Sequence, residues 1–311
     1  MVAMRNEDLK NRIAGALYGV AIGDALGAPL EFMSAQDIRQ EHGYVKDMIG
    51  GGWLNVQPGE VTDDTQMTLA VAEGIAEQSA DPVEAAGQRF IEWLRSGPKD
   101  IGGTCSRSIT AAWNAAGDRP CRDVWFNASM CADRQIGGRS GGNGALMRTV
   151  YPGLYYQDLD AAETAAADIA RMTHWAIEST LACILYTRVI YLITNGGNSE
   201  PVRNKLLNVV QGTPYDPRAL TSKNLKPSVY VVDSFRCATA SFWCSHDFED
   251  ALETAVNMGG DTDTIGAIAG GLAGAWHGFD KIPERWVLAL DSTTRARLDA
   301  VTDAAVINHS Q

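Results

Sequence analysis

No run of lysine or arginine occurs anywhere in this chain of 311 residues, and its 26 basic residues are outnumbered by 38 acidic ones, for a net charge of -12. That balance excludes non-specific attraction to nucleic acid or to an anionic membrane, because neutralising phosphate requires a basic face. It leaves small anionic ligands open, since local groups or a metal can hold them. The six cysteines (Cys105, Cys121, Cys131, Cys183, Cys237 and Cys244) contain no C-x-x-C pair and no regular spacing, so reduced and mostly buried thiols are expected. The opening MVAMRNEDLKNR lacks the apolar core of a signal peptide, and no unbroken apolar run reaches the ~18 residues of a membrane span. A cytoplasmic protein without membrane or nucleic-acid partners is expected, and a monomer. Alternating strand patterns are nearly absent, and there is no tandem repeat.

What is present is helical periodicity. Apolar residues recur at three- and four-residue steps, as in Met67, Ala70, Val71, Gly74 and Ile75, and again through ETAAADIARM and ESTLACILYTRVIYLIT. SVYVVDSFRCATASFW opens with β-branched residues, but its length and alanine-rich second half favour a helix. The pattern predicts an all-α fold of about a dozen helices in one compact domain over residues 1–311. Connectors rich in glycine and proline fall at 50–60, 96–104, 137–144 and 211–228.

Two of these helices carry glycine every fourth residue: Gly15, Gly19, Gly23 and Gly27 in one, Gly266, Gly270, Gly274 and Gly278 in the other. Residues four apart share a helix face, and each interior glycine costs about 1 kcal/mol against alanine. Close backbone approach offsets that cost if the two helices pack on each other or on a shared neighbour.

Two acidic clusters open helices. VTDDTQM supplies Thr62, Asp63 and Asp64, and GGDTDT supplies Asp261, Asp263 and Thr264. Either cluster alone fits helix capping, where carboxylates meet the positive end of the dipole. The second cluster heads one glycine-striped helix, and the other striped helix ends next to Glu31. If the stripes bring those ends together, Glu31, Asp63, Asp64, Asp261 and Asp263 converge and repel one another unless protonated or neutralised. Oxygen-only ligands suit Mg²⁺ or Mn²⁺, five acids are ample for two ions, and the lack of His or Cys in either cluster argues against zinc. The glycine-rich GGRSGGNGALMR can expose backbone N–H groups to phosphate, though it is neither a P-loop nor a Rossmann fingerprint. His174, in MTHWAIEST, is open between a core residue and a functional one.

These segments, in this order, resemble the ADP-ribosylglycohydrolases: GALYGVAIGDALGAPLEF, VTDDTQM, GGNGALMR, THWAIES and GGDTDTIGAIAGGLAG. Further segments (IGGGWLNVQPGEVTDDTQM, KDIGGT, YVVDSF and IPERW) are similar to the dinitrogenase-reductase-activating type within that family. The resemblance implies an orthogonal multi-helix domain with a dinuclear Mg²⁺ or Mn²⁺ cleft. It implies hydrolysis of the N-glycosidic bond between ADP-ribose and a protein arginine, with an ADP-ribosylated protein as partner and ADP-ribose as product. Motif by motif, it implies Glu31, Thr62, Asp63, Asp64, Asp261, Asp263 and Thr264 as metal ligands. Asp63 or Asp64 would activate water, and Asp100 in KDIGGT would face the scissile ribose and the arginine. Ser140, Gly141, Gly142, Asn143 and Gly144 would bind the diphosphate and ribose, with His174 on the adenosine side. One departure is Ser140, which stands where the nearest relatives carry histidine. It leaves open other linkages (serine-linked, O-acetyl-ADP-ribose, nucleobase-linked), beside a non-catalytic ADP-ribose binder and a toxin-immunity role for the same chemistry.

Overall fold

Two glycine-striped helices run antiparallel through the centre of the molecule. In the computed structural model, which describes residues 6–196, 204–205, 208–216 and 224–311, the first is α1 (Asn6–Gly27). It is followed by α2 (Ala35–Glu41), α3 (Asp63–Glu77), α4 (Val83–Arg95), α5 (Gly103–Ala116), α6 (Arg122–Gln135), α7 (Tyr151–Tyr155), α8 (Leu159–Arg171) and α9 (Ile177–Gly196). The remainder contributes α10 (Val231–Cys244), α11 (Phe248–Val256), α12 (Thr262–His277), α13 (Glu284–Ala289) and α14 (Ser292–Ser310). Among the described residues β-type pairing is confined to three isolated bridges, so the fold is all-α. The 228–243 stretch is helical from Val231 onward despite its β-branched start. The 96–104 connector ends early because α5 begins at Gly103, and part of 211–228, residues 217–223, lies outside the described residues.

The second striped helix is α12, and its Gly266, Gly270 and Gly274 face Gly23, Gly19 and Gly15 of α1 pair by pair, whereas Gly278, expected in the same stripe, lies just past the helix end against the Asn11 side chain. A Cβ on Gly19 would sit 2.1 Å from the Gly270 carbonyl oxygen, and one on Gly270 would sit 2.0 Å from that of Gly19. Gly23 with Gly266 and Gly15 with Gly274 repeat this reciprocity, and a Cβ on Gly27 would meet Thr262 and Asp263 backbone at 2.4 to 2.5 Å. Contacts that short are far inside the ~3.5–4.0 Å optimum, so only glycine permits them, and Cα–H groups take the place of side chains against the carbonyls. Antiparallel packing sets the C-terminal end of α1 beside the N-terminal end of α12. Thr262 Oγ1 donates to the Gly27 carbonyl at 2.8 Å, and the Phe32 and Gly260 N–H groups donate to Gly260 and Met33 carbonyls, both at 2.7 Å. Glu31 is thereby fixed next to the GGDTDT turn.

One continuous hydrophobic cluster reaches from Leu9 to Ala305 around this pair, with a small satellite of Ala28, Leu54 and Val56. By averaged hydropathy two helices, Asn6–Leu30 and Ile177–Gly196, are long and apolar enough to cross a membrane, which unbroken runs did not reveal; the fold buries 94% of the first apolar window and 56% of the second. All six cysteines are free, but only Cys105, Cys183 and Cys237 are buried, fewer than expected.

Candidate metal centre and active site

The site begins with a charge inside the glycine-striped helix. Asp24 on α1 has no exposure, and its carboxylate accepts from the N–H and the hydroxyl of both Thr62 and Thr65. Thr62 occupies the N-cap position of α3 but makes no side-chain cap there. Asp24 satisfies that helix start from outside, which leaves Asp63 and Asp64 free. Burial pushes the Asp24 carboxyl up to about 6, against the pull of its four donors. Sequence reasoning missed Asp24; a carboxylate in the middle of an otherwise apolar, glycine-striped helix was the available signal.

Glu31 from the turn after α1, Asp63 and Asp64 from the start of α3, and Asp261, Asp263 and Thr264 from the start of α12 all line one cleft of about 310 Å³. Every one of them is buried. One carboxylate oxygen each from Glu31, Asp261 and Asp263 lies within 4.8 Å of the others. Thr264 Oγ1 donates to one Asp64 oxygen at 3.4 Å, while the other Asp64 oxygen is buried with no hydrogen-bond partner. Asn143 Nδ2 donates to Asp261 at 2.6 Å and to Ser234 Oγ at 2.8 Å; Trp53 Nε1 donates to Glu31 at 2.7 Å. No lysine or arginine lines the cleft among the described residues.

Burial first, then mutual repulsion, pushes Asp63, Asp64 and Asp263 well above the usual carboxylate range, and burial pushes Glu31 up to about 8. Capping does not account for Asp261, which makes no side-chain cap at the start of α12, while Asp263 accepts from the Thr264 N–H there at 2.8 Å. Five close, buried carboxylates with an orphaned oxygen and no internal cation fit hard divalent ions. Thr62 alone of the expected ligands does not line the cleft. Its hydroxyl donates to Asp24 at 2.8 Å, and it lies on a small adjoining hollow with Asp63 and Asp100.

Asp100, just ahead of α5, is half-buried on the same cleft, and burial raises its carboxyl. The uncapped start of α5, Gly102 to Cys105, opens beside it. Of the glycine-rich loop, Gly142, Asn143 and Gly144 line the cleft, whereas Ser140 and Gly141 do not. Ser140 Oγ accepts from the Ala176 N–H at 2.9 Å, ahead of α9, and the Gly141 carbonyl accepts from Val231 N at 2.9 Å. These contacts anchor the loop. His174 lies buried between Gly142 and Gly144; burial, then the nearby Arg148, pushes its ring down to about 3. The rings of Phe32 and Trp53, 61% and 55% exposed with centroids 5.7 Å apart, flank the mouth. Phe32 holds a φ of 64°, costly for a residue with a side chain. Neither aromatic was among the residues expected at the site. A larger hollow of about 660 Å³ lies elsewhere, but its Arg89, Lys99 and Arg297 are already paired with Glu73, Glu77, Glu92 and Glu60.

The ADP-ribosylglycohydrolase family model matches residues 5–311. The chain is 33% identical over 308 residues to the ADP-ribosyl-[dinitrogen reductase] glycohydrolase of Rhodospirillum rubrum, covering 97% of each. It is 30% identical to the ADP-ribosylarginine hydrolase Tri1 of Pseudomonas putida (strain GB-1), covering 90% of this chain and 74% of that protein. Among solved structures, an ADP-ribosylglycohydrolase-related protein complex superimposes with a TM-score of 0.79 at 29% identity, covering 98% of this chain and 100% of that one. With its all-α fold and its cleft of converging acids, the chain belongs to the ADP-ribosylglycohydrolase family.

Proposed function

We propose that this protein hydrolyses the N-glycosidic bond between ADP-ribose and a protein arginine in a reaction that depends on two divalent cations, Mg²⁺ or Mn²⁺. The observation that carries the reading is the cluster of buried acids, one Asp64 oxygen without a partner, sharing a single cleft with Asp100 and the Gly142–Gly144 loop. Glu31, Asp63, Asp64, Asp261, Asp263 and Thr264 would hold the ions, with the Thr62 hydroxyl beside them. Bound there, the ions supply Lewis-acid polarisation and a lowered water pKa.

The chain's own residues do the rest. Asp24 locks the start of α3, and Asn143 and Trp53 orient Asp261 and Glu31. Asp63 or Asp64 takes the proton of the water that adds to the anomeric carbon. The C–N bond breaks with its electron pair going to nitrogen, so the substrate guanidinium leaves as neutral guanidine, which then takes up the proton that the aspartate removed from water. Asp100 faces that leaving group, where a carboxylate suits a planar guanidinium, and the exposed faces of Trp53 and Phe32 suit the same cation. The N–H groups of Gly142, Gly144 and the α5 start are the available donors for the diphosphate, because the Asn143 N–H already donates to the Val229 carbonyl and no lysine or arginine lines the cleft among the described residues.

Arginine linkage is supported by Asp100 and the two rings, and by Ser140, whose hydroxyl is turned to the Ala176 N–H and does not line the cleft. The test is mass spectrometry on arginine-, serine- and nucleobase-linked ADP-ribose substrates and on O-acetyl-ADP-ribose, with and without metal. Release from arginine alone is expected. Turnover confined to another linkage would replace the arginine reading, and ADP-ribose binding without turnover on any substrate would make the protein a binder.

A further inference from the structure

His174 lines the cleft yet is only 2% exposed. Its Nε2 faces the glycine-rich loop, 3.3 Å from where a Cβ on Gly142 would stand, and no described residue partners it. Its Nδ1 lies 2.9 Å from Thr173 Oγ1, which lies 2.7 Å from Arg148 Nη2. Arginine can only donate, so the threonine oxygen accepts from Arg148 and has its own proton to give. The two acceptors near that proton are Nδ1 of His174 and the sulfur of Cys105, and an imidazole nitrogen is much the stronger. A ring that accepts at Nδ1 carries its proton on Nε2. The field points the same way: the guanidinium sits behind Nδ1, and the carboxylates line the cleft that Nε2 faces.

Arg148 calls for an explanation of its own. It is fully buried, and among the described residues it bonds only to neutral groups: the Gly144 and Ile169 carbonyls at 3.0 and 3.1 Å, Thr173, and the sulfurs of Cys105 and Met67. Its Cζ lies 4.7 Å from the Phe90 ring centroid, and among the described residues its Nε has no partner and no carboxylate pairs with it. A buried cation without a counter-charge is costly.

We propose that Arg148, acting through Thr173, fixes His174 as an Nε2–H donor aimed into the cleft, where it binds an acceptor oxygen of the ADP-ribose moiety. Arg148 and Thr173 are positioning residues; His174 is the group that touches ligand. The identity of the ligand rests on the function proposed above, whereas the tautomer does not.

The chain has five histidines, so two-bond proton–nitrogen NMR on protein labelled in histidine resolves the rings, with His174→Gln supplying the assignment. The wild-type ring is expected to be protonated at Nε2 and bare at Nδ1; protonation at Nδ1 overturns the proposal. Calorimetry with ADP-ribose then tests the relay. Thr173→Val should weaken binding about tenfold, the loss of roughly one hydrogen bond. In the His174→Gln background the same substitution should change binding less than about twofold. An equal loss in both backgrounds would mean a purely structural role and would overturn the relay. Arg148→Lys should keep the tautomer and Arg148→Met should lose it. If Arg148→Met does not fold, the wild-type spectrum and the Thr173 cycle decide. Absence of ADP-ribose binding by the wild type would refute the function reading instead, with the spectrum still judging the relay.

Discussion

Replacing Gly19 with alanine tests the device that brings the two acidic halves together. On an exposed helix the change stabilises by about 1 kcal/mol, because alanine is the better helix former. Here the new Cβ would arrive 2.1 Å from the Gly270 carbonyl oxygen. Reaching even the ~3.5 Å of ordinary contact requires the two helices to separate by more than 1 Å along a packed seam. Overpacking of that kind costs roughly 1–3 kcal/mol or more, and a rigid backbone-to-backbone contact belongs at the upper end. The net expectation after the propensity gain is a loss of about 2 kcal/mol, read as a lower urea midpoint at unchanged slope. Gly270→Ala should cost about the same. The double variant should cost less than the sum, because once the seam has opened for one methyl the other is partly accommodated. Both single variants should also bind divalent ions more weakly, since the seam sets the distance from Glu31 to Asp261. A gain of about 1 kcal/mol for Gly19→Ala, or strict additivity in the double, would refute the packing argument.

Asp24→Asn puts an amide among donors that need an acceptor, and should cost about 2–3 kcal/mol in urea unfolding while weakening metal binding. Asp100→Asn should lower turnover of arginine-linked substrate roughly 100-fold and leave calorimetric metal affinity within about twofold; equal loss of both would place Asp100 among the metal ligands. The native His174 ring stays neutral down to about 3, whereas an unfolded histidine titrates near 6.5. The unfolded chain therefore takes up a proton that the native one refuses, so this contribution is intact above pH 6.5 and is lost as pH falls toward 3. Between pH 7.5 and 5 the wild type should lose about 2 kcal/mol more than His174→Gln; parallel losses would show that the ring titrates normally in the fold.

The sequence disclosed the parts of the site that are periodic or clustered. Glycine at every fourth position and acids in short groups are patterns along the chain, and the stripes foretold the α1–α12 seam. Parts that depend on a partner distant in sequence stayed hidden. Asp24 acts on residues 38 and 41 positions away, and nothing adjacent to it shows that it caps α3. Ser140 sat in a motif expected to hold ligand, but its backbone direction, unreadable from glycine content, turns it toward the residue before α9. Trp53 and Phe32 read as ordinary apolar residues because exposure is a tertiary property. Arg148 ended the glycine-rich motif without drawing notice, since arginine is ordinarily a surface residue and its burial follows from the packing of Phe90, Cys105 and Thr173 around it.

The central claim is that the five converging carboxylates hold divalent ions and that hydrolysis depends on them. It is tested most directly by following release of ADP-ribose from an arginine-modified peptide by mass spectrometry, for wild type and Asp261→Asn, in Mg²⁺, in Mn²⁺ and in excess EDTA. Release by the wild type in metal, and its disappearance both with EDTA and in the variant, is the result expected. Undiminished release in EDTA, or by Asp261→Asn, would contradict the account.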